Sequence, residues 1–185
     1  MESLTHVHPI TPLVFWAPVI IYFFYLGFSV DSVTLKSFFL ISIFSLFVWT
    51  FTEYFLHRFV FHFKAKSRLG KYLIFLFHGI HHDDPNDKTR LVMPPVPAVI
   101  IVSLLYSIFK LFLPDFMLNT FMGWFLIGYL IYDYIHYATH HFPMKNRMAR
   151  FLKKWHLQHH HTKKPVQYGV SNPMWDYIFR TLPKK

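Results

Sequence analysis

The 185-residue chain contains no cysteine. That absence excludes a disulfide scaffold, thiolate-ligated haem, cysteine-held iron–sulfur clusters and a cysteine nucleophile. Charge is scarce as well, at 15% of residues, and it is missing from long runs. Histidine aside, no charged residue lies between Glu2 and Asp31, and the next run, about 33–56, has only Lys36 and Glu53 near its ends. What is abundant is apolar: 54% of residues are hydrophobic and 21% aromatic, with 23 Phe and 11 Tyr. Such a chain is not disordered, and a soluble domain of this size seldom carries so many aromatics on so little charge. The length suits one domain and is short for two full-sized ones. The sequence therefore reads as a basic membrane protein, formally +10 at pH 7, whose 14 histidines need a chemical explanation.

A spanning helix needs about 20 apolar residues. Four candidate spans follow, at about 13–30, 33–56, 97–113 and 116–132. The last two are short, and we read them as less tilted or set in a thinned bilayer. Pro18 is expected to kink the first span, Lys110 to snorkel from the third, and Met93-Pro94-Pro95-Val96-Pro97 to form a stiff lead into it. The first run lacks a basic n-region and a small-residue cleavage site, so it reads as a retained helix and not a signal peptide. Of the 19 Lys and Arg, seven lie in 57–94 and ten in 138–185, while the links around Asp31 and Asp115 carry none. Such an excess marks the cytoplasmic side. Segments 57–94 and 136–185, and both termini, are expected there. The positive charge then serves topology and contact with anionic membrane lipids, not nucleic acid. The expected fold is an all-α integral membrane domain over 1–185, four transmembrane helices with a cytoplasmic histidine-rich cap for two metals.

Ten histidines form four groups with helix-compatible spacing: His57 and His62; His78, His81 and His82; His136 and His140; His156, His159 and His160. The two triplets read H-x-x-H-H, and positions i, i+3 and i+4 share one face of a helix. His57 and His62, five apart, are about 140° apart on an ideal helix. They are expected to face different ions, unless the helix ends between them. Each group sits at or just past the end of span two or four, so one bundle end can gather all ten. Neutral imidazoles bind Fe, Zn, Cu and Ni; ten are too many for one ion and suit two ions at five each, and redox chemistry at a two-metal centre points to iron. A single histidine at a membrane edge is ordinarily interfacial, but solvation does not account for ten in this pattern. His6, His8, His141 and His161 fall outside it and are read as non-ligands.

At these residues the chain resembles the membrane fatty acid hydroxylase and sterol desaturase superfamily, above all its fatty acid 2-hydroxylase branch. The matching segments are Glu53 to His62, His78-Gly79-Ile80-His81-His82, Arg90-Leu91-Val92-Met93-Pro94-Pro95, Tyr132 to Tyr137 with His140, and Lys153 to His160. Gly169-Val170-Ser171 and Trp175-Asp176 complete the pattern, which runs from about residue 49 to 182. H-x-x-H-H marks only the superfamily; the R-L-V-x-P-P stretch and the closing G-V-S and W-D favour the branch. The resemblance implies O2-dependent hydroxylation at carbon 2 of a fatty acyl chain, in a sphingolipid or ceramide or as the free acid, by two iron ions held on the ten histidines. Zinc can replace iron in a purified sample of such a site. Many relatives carry an N-terminal cytochrome b5 domain, but here only eight residues precede Pro9. Electrons are therefore expected from a separate donor such as a cytochrome b5-like protein or ferredoxin. The expected membrane is a bacterial inner membrane or the endoplasmic reticulum.

Carbon 2 of a lipid acyl chain lies near the head group, so the metals are expected at the membrane interface with the tail among the helices. Asp133, one turn before His136, is expected to fix an imidazole or accept a hydrogen bond from the head group, as against a carboxylate simply ending span four. Glu53, four before His57, has the same two readings. Tyr54, Tyr134 and Tyr137 are read as interfacial belt residues rather than site linings, and Lys153 and Lys154 as facing lipid phosphate or an acidic donor. The rival readings are a related oxygenase acting on sterols, carotenoids or another lipid, a metal transporter, and a nucleic-acid binder. Transport sites place ionisable groups near the bilayer midplane, where these spans have none.

Overall fold

The computed structural model describes residues 6–162 and 165–183, and among them all regular structure is helical. Helix α1 covers Thr11–Ser29, and α2 covers Leu35–Phe55 and continues as a π-helical segment, Leu56–Phe61. A short α3, Arg68–Ile74, runs through a second π segment, Phe75–Gly79, into α4, Ile80–Asp83. Next come α5, Pro95–Phe112, and α6, Asp115–His141, followed by α7, Arg147–His161, and α8, Met174–Ile178. The starts are set by local chemistry. Pro95 opens α5, where a missing N–H costs nothing, and the Ser67 and Asn146 side chains accept the Gly70 and Ala149 amides as N-caps of α3 and α7. Pro18 lies inside α1, whose helix runs on past it to Ser29.

Three of these helices are long and apolar enough to cross a membrane: Thr11–Ser29, Leu35–Phe61 and Pro95–Phe112. They contain most of the expected spans one, two and three, leaving out residue 30, residues 33 and 34, and residue 113. The expected span 116–132 lies inside the 27-residue α6, which is not one of the three. Asn119, Thr120, Gly123 and Gly128 dilute the apolar content of that stretch.

The chain packs as two compact units, residues 10–49 with 93–130, and residues 6–9, 50–92 and 131–183. Helices α2 and α6 contribute to both. The first of these units is an apolar bundle with α6 at its centre, where Phe121, Met122, Phe125 and Leu126 are wholly buried. Phe125 meets Trp49 of α2 and Phe109 of α5 edge-on, at 5.0 and 5.1 Å between ring centres. Gly128 lets Trp49 close in, since a Cβ there would lie 2.6 Å from its ring. The Ser45 hydroxyl donates to the Phe121 carbonyl at 2.7 Å. In lipid, helices associate through such close packing and interhelical hydrogen bonds. The outer faces, with Ile21, Ile43 and Leu111 among them, are exposed and apolar. The second unit holds the histidines.

Candidate metal centre

The ten histidines selected by spacing lie together in that unit, as two groups of five. His57, His62, His78, His82 and His159 form one; His81, His136, His140, His156 and His160 form the other. Within each group the ligand nitrogens all lie within 4.8 Å of one another. His6, His8, His141 and His161 belong to neither group. His6 instead accepts from Arg90 at 2.8 Å and pairs with Thr89.

Neither triplet stays whole. The i, i+4 pairs, His78 with His82 and His156 with His160, each serve one group, and the i+3 member, His81 or His159, crosses to the other. Each H-x-x-H-H helix therefore stands between the two groups and feeds both. His57 and His62 join the same group, so of the two readings offered by their spacing it is the helix ending between them that holds. The π segment explains it: the His62 amide donates to the His57 carbonyl, an i→i+5 bond at 3.2 Å, which brings residues five apart over one another. The helix also ends between them, at Phe61.

The nitrogens converge. In the first group Nε2 atoms approach at 3.0 Å (His57 to His78), 3.3 Å (His57 to His62), 3.0 Å (His62 to His159) and 2.9 Å (His78 to His82). In the second the spacings are 2.9 Å (His81 to His136), 3.1 Å (His81 to His160), 2.8 Å (His140 to His156) and 3.0 Å (His156 to His160). Nitrogens bound to one ion at about 2.0–2.1 Å lie about 3 Å apart when adjacent. Burial pushes the rings toward the neutral form, helped by neighbouring imidazoles: His62 and His82 are lowered to about 3, and His140 to about 4. The His57 and His159 Nδ1–H groups donate to the Tyr168 and Val166 carbonyls, both at 2.5 Å. Those bonds fix the tautomers and leave each Nε2 as a lone pair aimed into the group. Lone pairs gathered this closely repel unless a cation lies among them. The residues fit a metal pair.

The loop that supplies those carbonyls is itself clamped. Asp176 accepts the Tyr168 and Gly169 amides at 2.8 and 2.7 Å, and Glu53 accepts the Val170 and Ser171 amides at 2.7 and 2.8 Å and also the Ser171 hydroxyl. Glu53 thus acts one step removed from His57, through the loop and not on the ring. Gly169 is required here, since a Cβ would fall 2.1 Å from the Asn172 carbonyl oxygen. Asp133 is buried one turn before His136. Tyr54 is buried rather than interfacial; its hydroxyl accepts from Arg58 at 2.7 Å and meets Thr181 at 3.1 Å. Tyr134 donates to the Pro9 carbonyl, and Tyr137 rests on His141. Tyr168 lines the first group, 5.5–5.7 Å from the His57, His62 and His159 rings, and Tyr132 stacks on His136 of the second at 5.8 Å. Spacing could not find Tyr168, because its useful atom is a backbone carbonyl. A cleft of ≈ 380 Å³ lined by Phe61, His62, His78, Gly79, His82 and Asp83 opens onto the first group.

An all-helical chain with three helices apolar enough to cross a membrane and two clustered sets of five imidazoles has the makings of a metal-binding membrane protein, and the comparisons narrow the class. The fatty acid hydroxylase family model matches residues 42–181, and the chain belongs to that family. It is 36% identical over 170 residues to a dihydroceramide fatty acyl 2-hydroxylase of Arabidopsis thaliana, covering 92% of this chain and 71% of that one. It is 41% identical over 144 residues to the human fatty acid 2-hydroxylase, covering 75% of this chain but 38% of the human protein. Its structure superposes with a TM-score of 0.90 and 34% identity on full-length scs7p, of which only the hydroxylase domain is visible, over 98% of this chain and 69% of that one. The chain is therefore a membrane hydroxylase whose histidine clusters are suited to metal.

Proposed function

We propose that this protein hydroxylates carbon 2 of a fatty acyl chain, most simply one carried by a sphingolipid or ceramide, using O2 and two iron ions. The observation that carries the proposal is the convergence of ten neutral imidazoles into two sets of five in a chain of this family. His57, His62, His78, His82 and His159 would hold one ion, and His81, His136, His140, His156 and His160 the other. When bound, the iron pair supplies the oxygen activation that an alkyl C–H requires and that acid–base chemistry cannot provide. The balance is fixed by stoichiometry: one oxygen atom enters the C–H bond, the other leaves as water, and two electrons and two protons come from a donor such as a cytochrome b5-like protein or ferredoxin.

The chain's own residues do the rest. The Val166 and Tyr168 carbonyls orient two rings of the first set, and Glu53 and Asp176 keep those carbonyls in place. Asp133, beside the second set, either fixes an imidazole or receives the substrate head group. An apolar cleft of ≈ 430 Å³ lined by Phe15, Trp16, Phe23, Val99, Val102 and Met122 offers a surface for the acyl tail. We read residues 1–185 as one hydroxylase domain, with α6 supplying a fourth span over 116–132. The charge asymmetry supports a cytoplasmic metal cap, in a bacterial inner membrane or the endoplasmic reticulum. Mass spectrometry of lipids from cells expressing the protein tests the activity. Acyl chains that gain one oxygen at carbon 2 support it; unchanged acyl chains beside oxidised sterols or carotenoids overturn it.

A further inference from the structure

Helix α8 stands out because it is clamped on one side and bare on the other. Its inner face is fixed to the end of α2. The Trp175 indole N–H donates to the Thr50 hydroxyl at 3.0 Å, the Trp175 ring meets Phe51 at 4.9 Å, and Phe179 stacks on Tyr54 at 5.3 Å. Its outer surface is apolar and open: Ile178 is 56% exposed, and Tyr177 and Phe179, each resting by one side on Trp155 or Tyr54, are 55% and 45% exposed. Beside them, Phe51, Phe55 and Phe59 of α2 are exposed too, so the bare surface continues from one helix to the other. A patch of this kind on a soluble surface would favour aggregation.

The position of the patch along α2 says what covers it. The candidate span Leu35–Phe61 has 27 residues, whereas about 20 suffice to cross the hydrocarbon. Counted from Leu35, the apolar core ends near Tyr54 and Phe55, the level at which Trp175 and Phe179 pack. Cations follow at once. Arg58 sits over the Phe59 ring at 4.8 Å, and the exposed Arg180 closes α8. Aromatic rings flanked by Arg are the chemistry of the head-group boundary.

We propose that α8 is a membrane-inserted foot, with Tyr177, Ile178 and Phe179 seated in the lipid beside the end of α2. The proposal rests on α2 being a membrane span. Its consequence is mechanical. Asp176, on the buried side of the same helix, holds the Tyr168 and Gly169 amides of the loop whose carbonyls orient His57 and His159. The bilayer therefore steadies one half of the histidine centre directly.

The absence of native cysteine permits single labels on the full chain. Ile178→Cys, Ile43→Cys on the exposed face of α2, and Gln158→Cys on α7 are each labelled with an environment-sensitive fluorophore in nanodiscs. Bromine on the acyl chains and a water-soluble quencher are then compared. The label at position 178 is expected to lose fluorescence to bromine, as that at 43 does though less deeply, and to resist the aqueous quencher that reaches 158. Quenching from water at 178, or protection from both quenchers as a second protein would give, overturns the proposal while position 43 still reports the membrane. Loss of bromine quenching at 43 as well would remove the span reading itself. In an Ile178→Asp variant, amide exchange at Tyr168 and Gly169 is expected to quicken; unchanged exchange there contradicts the mechanical link.

Discussion

The two histidine groups contain the same number of rings but are held in different ways. In the first, Nδ1–H groups of His57 and His159 donate to the carbonyls of one loop, and that loop is gripped by Glu53 and Asp176. In the second, Nδ1 of His81, His156 and His160 is buried without a hydrogen-bond partner among the described residues. A ligand imidazole whose outer N–H is bonded is fixed in tautomer and more basic. The comparison teaches that the chain builds two inequivalent sites from one ligand type. Two rings of the first are braced by backbone carbonyls, and three rings of the second lack such a brace among the described residues.

The largest expected effect falls on both groups alike. His81→Ala and His159→Ala are each expected to abolish 2-hydroxylated product while the chain still inserts in the membrane, as shown by extraction and lipid analysis. Full activity in either variant would break the assignment of that ring as a ligand. The next effect separates the groups. Glu53→Ala leaves the Val170 and Ser171 amides without their acceptor and frees the loop. It is expected to weaken the first site by about 10–100-fold in metal affinity and to leave the second unchanged. Metal titration with two resolved binding steps checks this, and equal weakening of both steps would erase the distinction.

Acid gives a third, smaller test. In the metal-free fold His62 and His82 stay neutral down to about pH 3, and His140 to about pH 4, because burial opposes their charging. Unfolded histidines take up protons near pH 6.5. The unfolded state then binds more protons, so stability is complete above about pH 6.5 and declines toward pH 3. Thermal unfolding of the metal-free protein should follow that slope, and a melting temperature independent of pH from 7 to 4 would contradict the buried neutral rings. The smallest effect is outside the groups: Tyr54→Phe removes the hydroxyl shared by Arg58 and Thr181 and is expected to cost about 1 kcal/mol, read by the same unfolding assay, with both metal steps intact.

Much of this was legible in the sequence, and particular residues show where legibility stopped. The ten rings declare themselves by helical spacing, because i, i+4 pairs such as His78 and His82 are held together by local geometry alone. The splitting of each triplet is not local: whether His81 or His159 joins its helical neighbours depends on what packs on each side. That His57 and His62 share a group was not decidable from spacing, because a π segment carries no reliable residue signature. Glu53 was picked out as a partner of the site, but its true contacts, Val170 and Ser171, are more than a hundred residues away. The supports from Val166 and Tyr168 are main-chain atoms, invisible to any reading of side chains.

X-ray absorption at the iron edge, with metal counting on protein loaded in membranes, reads the two sets of imidazoles without an intermediary. Two ions per chain, each with a shell of five imidazole nitrogens, are expected. A single ion per chain, or shells dominated by carboxylate oxygen, would contradict the assignment.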